Sequence, residues 1–138
     1  DLIAFDMGGT TAKMALIALA GPAVNFVLAL AGGLAYGLAE NLGSPLMGGI
    51  AMTSVGLNVL LGVFNLFPIF PLDGHHILRW GIGKTLGQPA AAAVDRFWHS
   101  VARYSFFGIM ALVLAFSGPL ITLVRAISGF FLSVGGLV

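Results

Sequence analysis

The first two long uncharged stretches of this chain set its class. One runs from Met14 to Ala39 and the other from Leu46 to Phe67. A helix needs about 20 apolar residues to cross a bilayer, so each stretch is long enough to span with some tilt. The composition agrees: 59% of the residues are hydrophobic and 8% are charged, whereas soluble domains carry roughly 25% charged residues. The chain therefore reads as an all-α membrane protein, a bundle of about three to four transmembrane helices whose first partner is the lipid bilayer. A net charge of +1 supplies no basic face for nucleic acid. The lack of cysteine removes disulfides, thiolate nucleophiles and cysteine-ligated zinc.

The second uncharged stretch ends in Asn65-Leu66-Phe67-Pro68-Ile69-Phe70-Pro71-Leu72-Asp73-Gly74-His75-His76. Pro68 and Pro71 each lack a backbone donor and disfavour helix at the residue before them, which predicts a broken helix between Asn65 and Asp73. Broken backbone at membrane depth persists only where it is buried in protein or lines a polar cavity. A carboxylate at such a place is costly and marks a functional group, so Asp73 is the leading candidate. Asn58 and Asn65 are two helical turns apart and share a face, where their amides either pair with another helix or line a site. If the chain is helical after the break, Asp73 and His76 lie on one side and His75 points about 100° away. His76 is thus a possible accessory ligand; the bland alternative has both histidines capping the helix or hydrogen-bonding at the membrane surface.

Elsewhere the pattern is coarser. Gly33 stands four residues from both Ala29 and Gly37, a face small enough for close helix approach. Beyond Ile77, Arg79, Lys84, Arg96 and Arg103 fall in one polar connection, in which 90–103 reads as a short surface helix carrying Trp98 and a solvated His99. Trp80, Trp98 and Tyr104 suit interfacial anchors. Tyr104 to Val124 is a third candidate span interrupted at Ser117-Gly118-Pro119. Either it continues into a partial fourth helix, or it divides into a short helix, a turn and a further crossing from Leu120. The first 13 residues read as an atypical leader, possibly foreign or fused, and 14–138 as the transmembrane domain. Within that leader Leu2-Ile3-Ala4-Phe5 could form a strand and Asp6-Met7-Gly8-Gly9-Thr10-Thr11 a phosphate-holding turn. That wording resembles the first phosphate-binding segment of the hydantoinase/oxoprolinase family, which would imply nucleotide binding through Asp6–Thr11.

A second resemblance covers far more of the chain. Ala18-Leu19-Ala20-Gly21-Pro22-Ala23-Val24-Asn25, followed by Phe64 to Gly74, resembles the site-2 protease family of intramembrane zinc metalloproteases, peptidase family M50. The resemblance implies a Zn²⁺ held by two histidines of a His-Glu-x-x-His helix and by the aspartate of the Leu-Asp-Gly motif, here Asp73. It implies that Asn65, Pro68 and Pro71 line a substrate cleft, that partners are transmembrane peptide substrates, and that the protein sits in a bacterial inner membrane.

His-Glu-x-x-His places two imidazoles on one helical face with the glutamate as general base, and this sequence contains no such motif. The expectation is a substrate-cleft half carrying the third zinc ligand. Its metal site would be incomplete and its general base missing, so it would be inactive unless joined to the catalytic helix. A chain opening on Asp1 fits a fragment. The rival class is a non-catalytic membrane scaffold, or pseudoprotease, that binds single-span partners through the same cleft.

Lysine and arginine collect on the cytoplasmic side of short loops. The 79–103 connection holds four basic residues and the 40–45 loop holds none, which places 79–103 in the cytoplasm and Glu40 across the membrane. Single cysteines introduced at these two places should be labelled from opposite sides. Equal labelling from one side would contradict the single crossing, 46–67, between them.

Overall fold

The computed structural model describes residues 2–67, 72–101 and 104–137; among these the backbone is helical, with no strand. Six helices follow one another: α1 (Leu2–Asn41), α2 (Pro45–Asn65), α3 (Asp73–Thr85), α4 (Gln88–Val101), α5 (Ser105–Ala115) and α6 (Ser117–Gly135). Three stretches are long and apolar enough to cross a membrane, namely Ala12–Asn41, Pro45–Asn65 and Ser117–Gly135. A fourth is possible if Gln88–Val101 and Phe106–Ala115 together form one broken span.

The backbone of Leu2–Thr11 continues α1, so the strand and turn considered for a nucleotide phosphate do not form. The interruption near Pro119 resolves in favour of a short helix followed by a new crossing. The break falls at Phe116, and Pro119 sits in the first turn of α6, where a missing N–H costs nothing. The first α-helical bond there runs from the Leu120 N–H to the Phe116 carbonyl at 2.8 Å.

What is buried explains why these helices suit lipid. The covered side chains are small: Ala15, Ala18, Ala29, Ala39, Ala51 and Ala91, with Val55 and Val59 the largest that are fully enclosed. The large ones face outward, as with Leu16 at 67% and Ile17 at 70% exposure. In water such a surface would drive aggregation. In hydrocarbon it is neutral, and helices associate instead by bringing backbones close over small residues.

The chain divides into two compact units, one of Asp1–Gly21 with Asn65–Leu114, the other of Pro22–Phe64 with Ala115–Val138. In the second unit neighbouring glycines of α1 meet different helices. A Cβ on Gly32 would come within 2.9 Å of the Val55 side chain on α2, while Gly33 and Gly37 lie against the carbonyls of Phe131 and Gly135 on α6. The small face read from Ala29, Gly33 and Gly37 is therefore an internal seam. Phe26 stacks on Phe131 beside it, with ring centroids 6.3 Å apart, and Gly62 of α2 lies against Phe26 and Asn25.

In the first unit α3 and α4 form a hairpin, turned by Leu86 and by Gly87 with a φ of 87°. Gly83 and Ala91 let the two helices approach, a Cβ on Gly83 standing 3.6 Å from that of Ala91.

Leucine at position 33 or 37 would force α1 and α6 apart, and overpacking of this kind costs about 1–3 kcal/mol or more. Alanine at Gly49 or Gly56, where a Cβ meets nothing within 4 Å, should leave stability unchanged or raise it. Unfolding of the four variants in detergent separates the two classes.

Candidate functional site

The chain breaks where the prolines predict. α2 ends at Asn65, Leu66 and Phe67 turn away, and helix resumes at Asp73. Pro68 and Pro71, expected to line a cleft, lie outside the described residues. Asn65 closes α2 and Asp73 opens α3. Asp73 is the first residue of α3 and so stands at the positive end of the helix macrodipole.

Two glycines fix where that carboxylate stands. Gly74 is buried, and any Cβ on it would collide with the carbonyls of Leu66 and Phe67. The start of α3 is thereby seated on the backbone that leaves α2. Gly21 of α1 lies directly against Asp73: a Cβ there would be 2.6 Å from Oδ2 and 3.7 Å from Cγ. Gly21 and Asp73 belong to the same compact unit.

Behind Asp73 is a polar cluster that sequence reading did not find. His75 is 4% exposed and packs its ring edge-on to Trp98 of α4, centroids 6.2 Å apart. Its Nε2 lies 3.7 Å from Asp95 Oδ1, and Arg79 Nε donates to Asp95 Oδ2 at 2.6 Å. Residues 75, 79, 95 and 98 thus lock α3 to α4 across the hairpin.

Burial pushes the His75 pKa below the ordinary 6.5; the cationic forms of His76 and Arg79 push the same way, and Asp95 opposes them. Asp95 is already engaged by Arg79, so the downward effects prevail and His75 is neutral at pH 7. His75 is therefore a packing residue of the hairpin, where the sequence offered a helix cap or a surface hydrogen bond; the N-cap of α3 is Leu72, which makes no side-chain hydrogen bond. His76 is half-buried beside His75. His99 is exposed, as expected of a solvated group.

Asn58 satisfies itself locally, its Nδ2 donating to the Ser54 carbonyl at 2.9 Å. It also lines a shallow, open groove along α2 with Gly49, Thr53, Ser54 and Leu57.

Among the described residues no three histidine or acidic side chains are grouped so as to hold a metal. By sequence, the first donors after the break are Asp73 and, two and three positions on, His75 and His76.

Residues 39–112 match the family model of peptidase family M50. The chain belongs to peptidase family M50. The match takes in α2, the break, Asp73 and the α3–α4 hairpin. The chain is also similar to two proteins named "Putative zinc metalloprotease", from Brucella suis biovar 1 and Brucella melitensis biotype 1. With each it shares 32% identity over 65 residues, 47% of this chain. Those 65 residues are 16% of the length of either relative. No solved structure matches.

Acid should loosen the hairpin. His75 is held neutral in the folded chain, so the unfolded chain binds more protons below pH 6.5. Stability is full above 6.5 and is lost as pH falls through the lowered value in the fold. His75→Gln should flatten this acid limb. Asp95→Ala should cost about 1.5–3 kcal/mol at neutral pH, the range for a hydrogen bond to a charged group. Both are read from unfolding midpoints across pH 4 to 8, taken about one unit at a time.

Proposed function

We propose that this chain supplies the substrate-cleft half of an M50 zinc metallopeptidase in the membrane, with Asp73 as one zinc donor. The observation that carries the reading is the family match over 39–112 combined with the place of Asp73, at the head of a helix that restarts after a break. The residues present do not by themselves fit a zinc ion. A catalytic zinc takes three protein ligands and a water, and Asp73 with His76 offers two donors at most.

The chain's own contribution is then positional. Asp73 brings an anionic oxygen to the site. Asn65, Pro68 and Pro71 line the cleft beside it, which takes an extended peptide. The partners are a His-Glu-x-x-His segment, which would bring the two imidazoles and the general base, and transmembrane peptide substrates. The location is a bacterial inner membrane with the α3–α4 hairpin on the cytoplasmic side.

The sparse donor set also favours a second reading, a non-catalytic scaffold that holds single-span partners at the same break. The two separate on one experiment, in which the chain is joined to a His-Glu-x-x-His helix and assayed for zinc content and for cleavage of a membrane-embedded peptide. The joined protein should hold about one zinc and cleave, whereas the chain alone should do neither. Asp73→Asn keeps the shape but loses the anionic donor, so zinc should be lost while assembly persists. Asn65→Ala should retain zinc and cleave more slowly. Full zinc occupancy in Asp73→Asn would remove Asp73 from the site, and a joined protein that binds partners without cutting them would favour the scaffold.

A further inference from the structure

Gly21 lies in the interior of α1, the kind of position at which glycine is ordinarily a weakness. A helical glycine gives up more chain entropy than alanine, so replacing it usually stabilises the helix. No special backbone conformation explains its presence, because the glycines with positive φ among the described residues are Gly43 and Gly87. What does distinguish it is the neighbour: Oδ2 of Asp73 stands 2.6 Å from where a Cβ would be. Gly81 on α3 and Gly49 and Gly56 on α2 have nothing within 4 Å of the same point. The space at Gly21 is therefore occupied, and its occupant is the carboxylate.

Asp73 has little freedom to withdraw. Its main chain opens α3, and the next residue, Gly74, is wedged against the carbonyls of Leu66 and Phe67. One turn further on, His75 and Arg79 tie the helix to Asp95 on α4. A side chain at position 21 would therefore displace the carboxylate rather than the helix that carries it. Pro22, which is buried, follows immediately; it has no N–H to give the Ala18 carbonyl and so interrupts the α1 hydrogen-bond ladder.

We propose that Gly21 is the positioning residue for Asp73: the bare backbone of α1 is the wall that sets where the carboxylate stands. The proposal rests on the reading of Asp73 as the functional carboxylate of the break. It assigns a role to the Gly-Pro half of the sequence pattern, which the donor argument leaves unused. Position 21 tolerates no added atom while the carboxylate is in place, and tolerates one when the carboxylate is gone.

The test is a double-mutant cycle on this chain in detergent, which isolates the coupling between two residues in contact. Gly21→Ala should lower the unfolding midpoint by about 4 °C or more, the shift that goes with a clash of this size in a domain of this length. Gly81→Ala should leave the midpoint unchanged or raise it. In an Asp73→Ala background Gly21→Ala should lose its cost. In an Asp73→Asn background, where the amide fills the same space, the cost should remain. A stabilising Gly21→Ala, an equal cost with and without the carboxylate, or full relief by Asp73→Asn would each overturn the proposal.

A second measurement stands even if Gly21→Ala fails to fold. In this cysteine-free chain, the pair Gly21→Cys and Asp73→Cys should oxidise to a disulfide, since Cγ of Asp73 already lies 3.7 Å from the Cβ position of residue 21. The pair Gly21→Cys and Gly81→Cys, about 12 Å further along α3, should not. Failure of the first pair to cross-link overturns the contact itself. Zinc retention by Asp73→Asn in the joined protein would instead remove the metal reading and leave this coupling standing, so the two failures are distinct.

Discussion

In this protein backbones come together where side chains are missing, and the rest of the structure depends on that close approach. Lipid tails are as apolar as leucine, so burying leucine between helices gains little, and dispersion between closely set backbones has to supply the attraction. Glycines accordingly stand at the tight crossings. Gly33 and Gly37 admit the carbonyls of α6, Gly32 admits Val55, and Gly74 admits the carbonyls that follow α2. The same rule explains why alanine and valine fill the interior while Leu16, Ile17, Phe106 and Phe107 face out.

Close approach has a second consequence at the break. A chain that leaves one helix and starts another within a few residues exposes backbone groups, and hydrocarbon does not solvate them. Seating Gly74 on the Leu66 and Phe67 carbonyls packs the start of α3 against them. It also brings the α3 amino terminus, with its positive dipole end, to the place where Asp73 sits. The carboxylate is thus tolerated for reasons that begin with backbone geometry. The α3–α4 hairpin behind it is held differently: an arginine bonded to an aspartate, with a neutral buried histidine 3.7 Å from that aspartate. Polar locking of this sort ties together two helices of which neither, taken alone, is a candidate span.

Much of the fold was legible because its signals are long and crude. Twenty uncharged residues read as a span whatever their order, and paired prolines read as a break. The glycine face at 33 and 37 was legible as a close-packing face, although its partner was not, because nothing in the spacing says which helix will meet it. The break was legible, with Asp73 as the carboxylate beside it; the roles proposed for Asp73 and Asn65 rest on the motif shared with a family. His75 was not. An imidazole after a glycine, ahead of a polar connection, looks like a surface group, and only the fold of α4 back onto α3 encloses it. Asp95 and Arg79 are 16 residues apart with a turn between them, so their pairing depends on a tertiary hairpin that no local period encodes. The polar leader misled in the opposite sense, since its Asp-x-Gly-Gly-Thr wording suggests a turn while the backbone there is part of α1.

The contact between Gly21 and Asp73 joins two pieces of sequence that would otherwise be separate curiosities. Gly21-Pro22 weakens a helix twice over, by chain entropy and by a lost hydrogen bond, and a membrane helix gains nothing local in exchange. Leu72-Asp73-Gly74 places a charge and a second glycine at a helix start. Taken singly, each is a local cost. Taken together, the missing Cβ at position 21 is the space into which the carboxylate of position 73 fits, and the missing Cβ at 74 is what lets that carboxylate reach it. When residues that destabilise their own elements fit one another in space, the compensation lies in the geometry they create. Here that geometry is a single carboxylate held against bare helix backbone at the edge of a break.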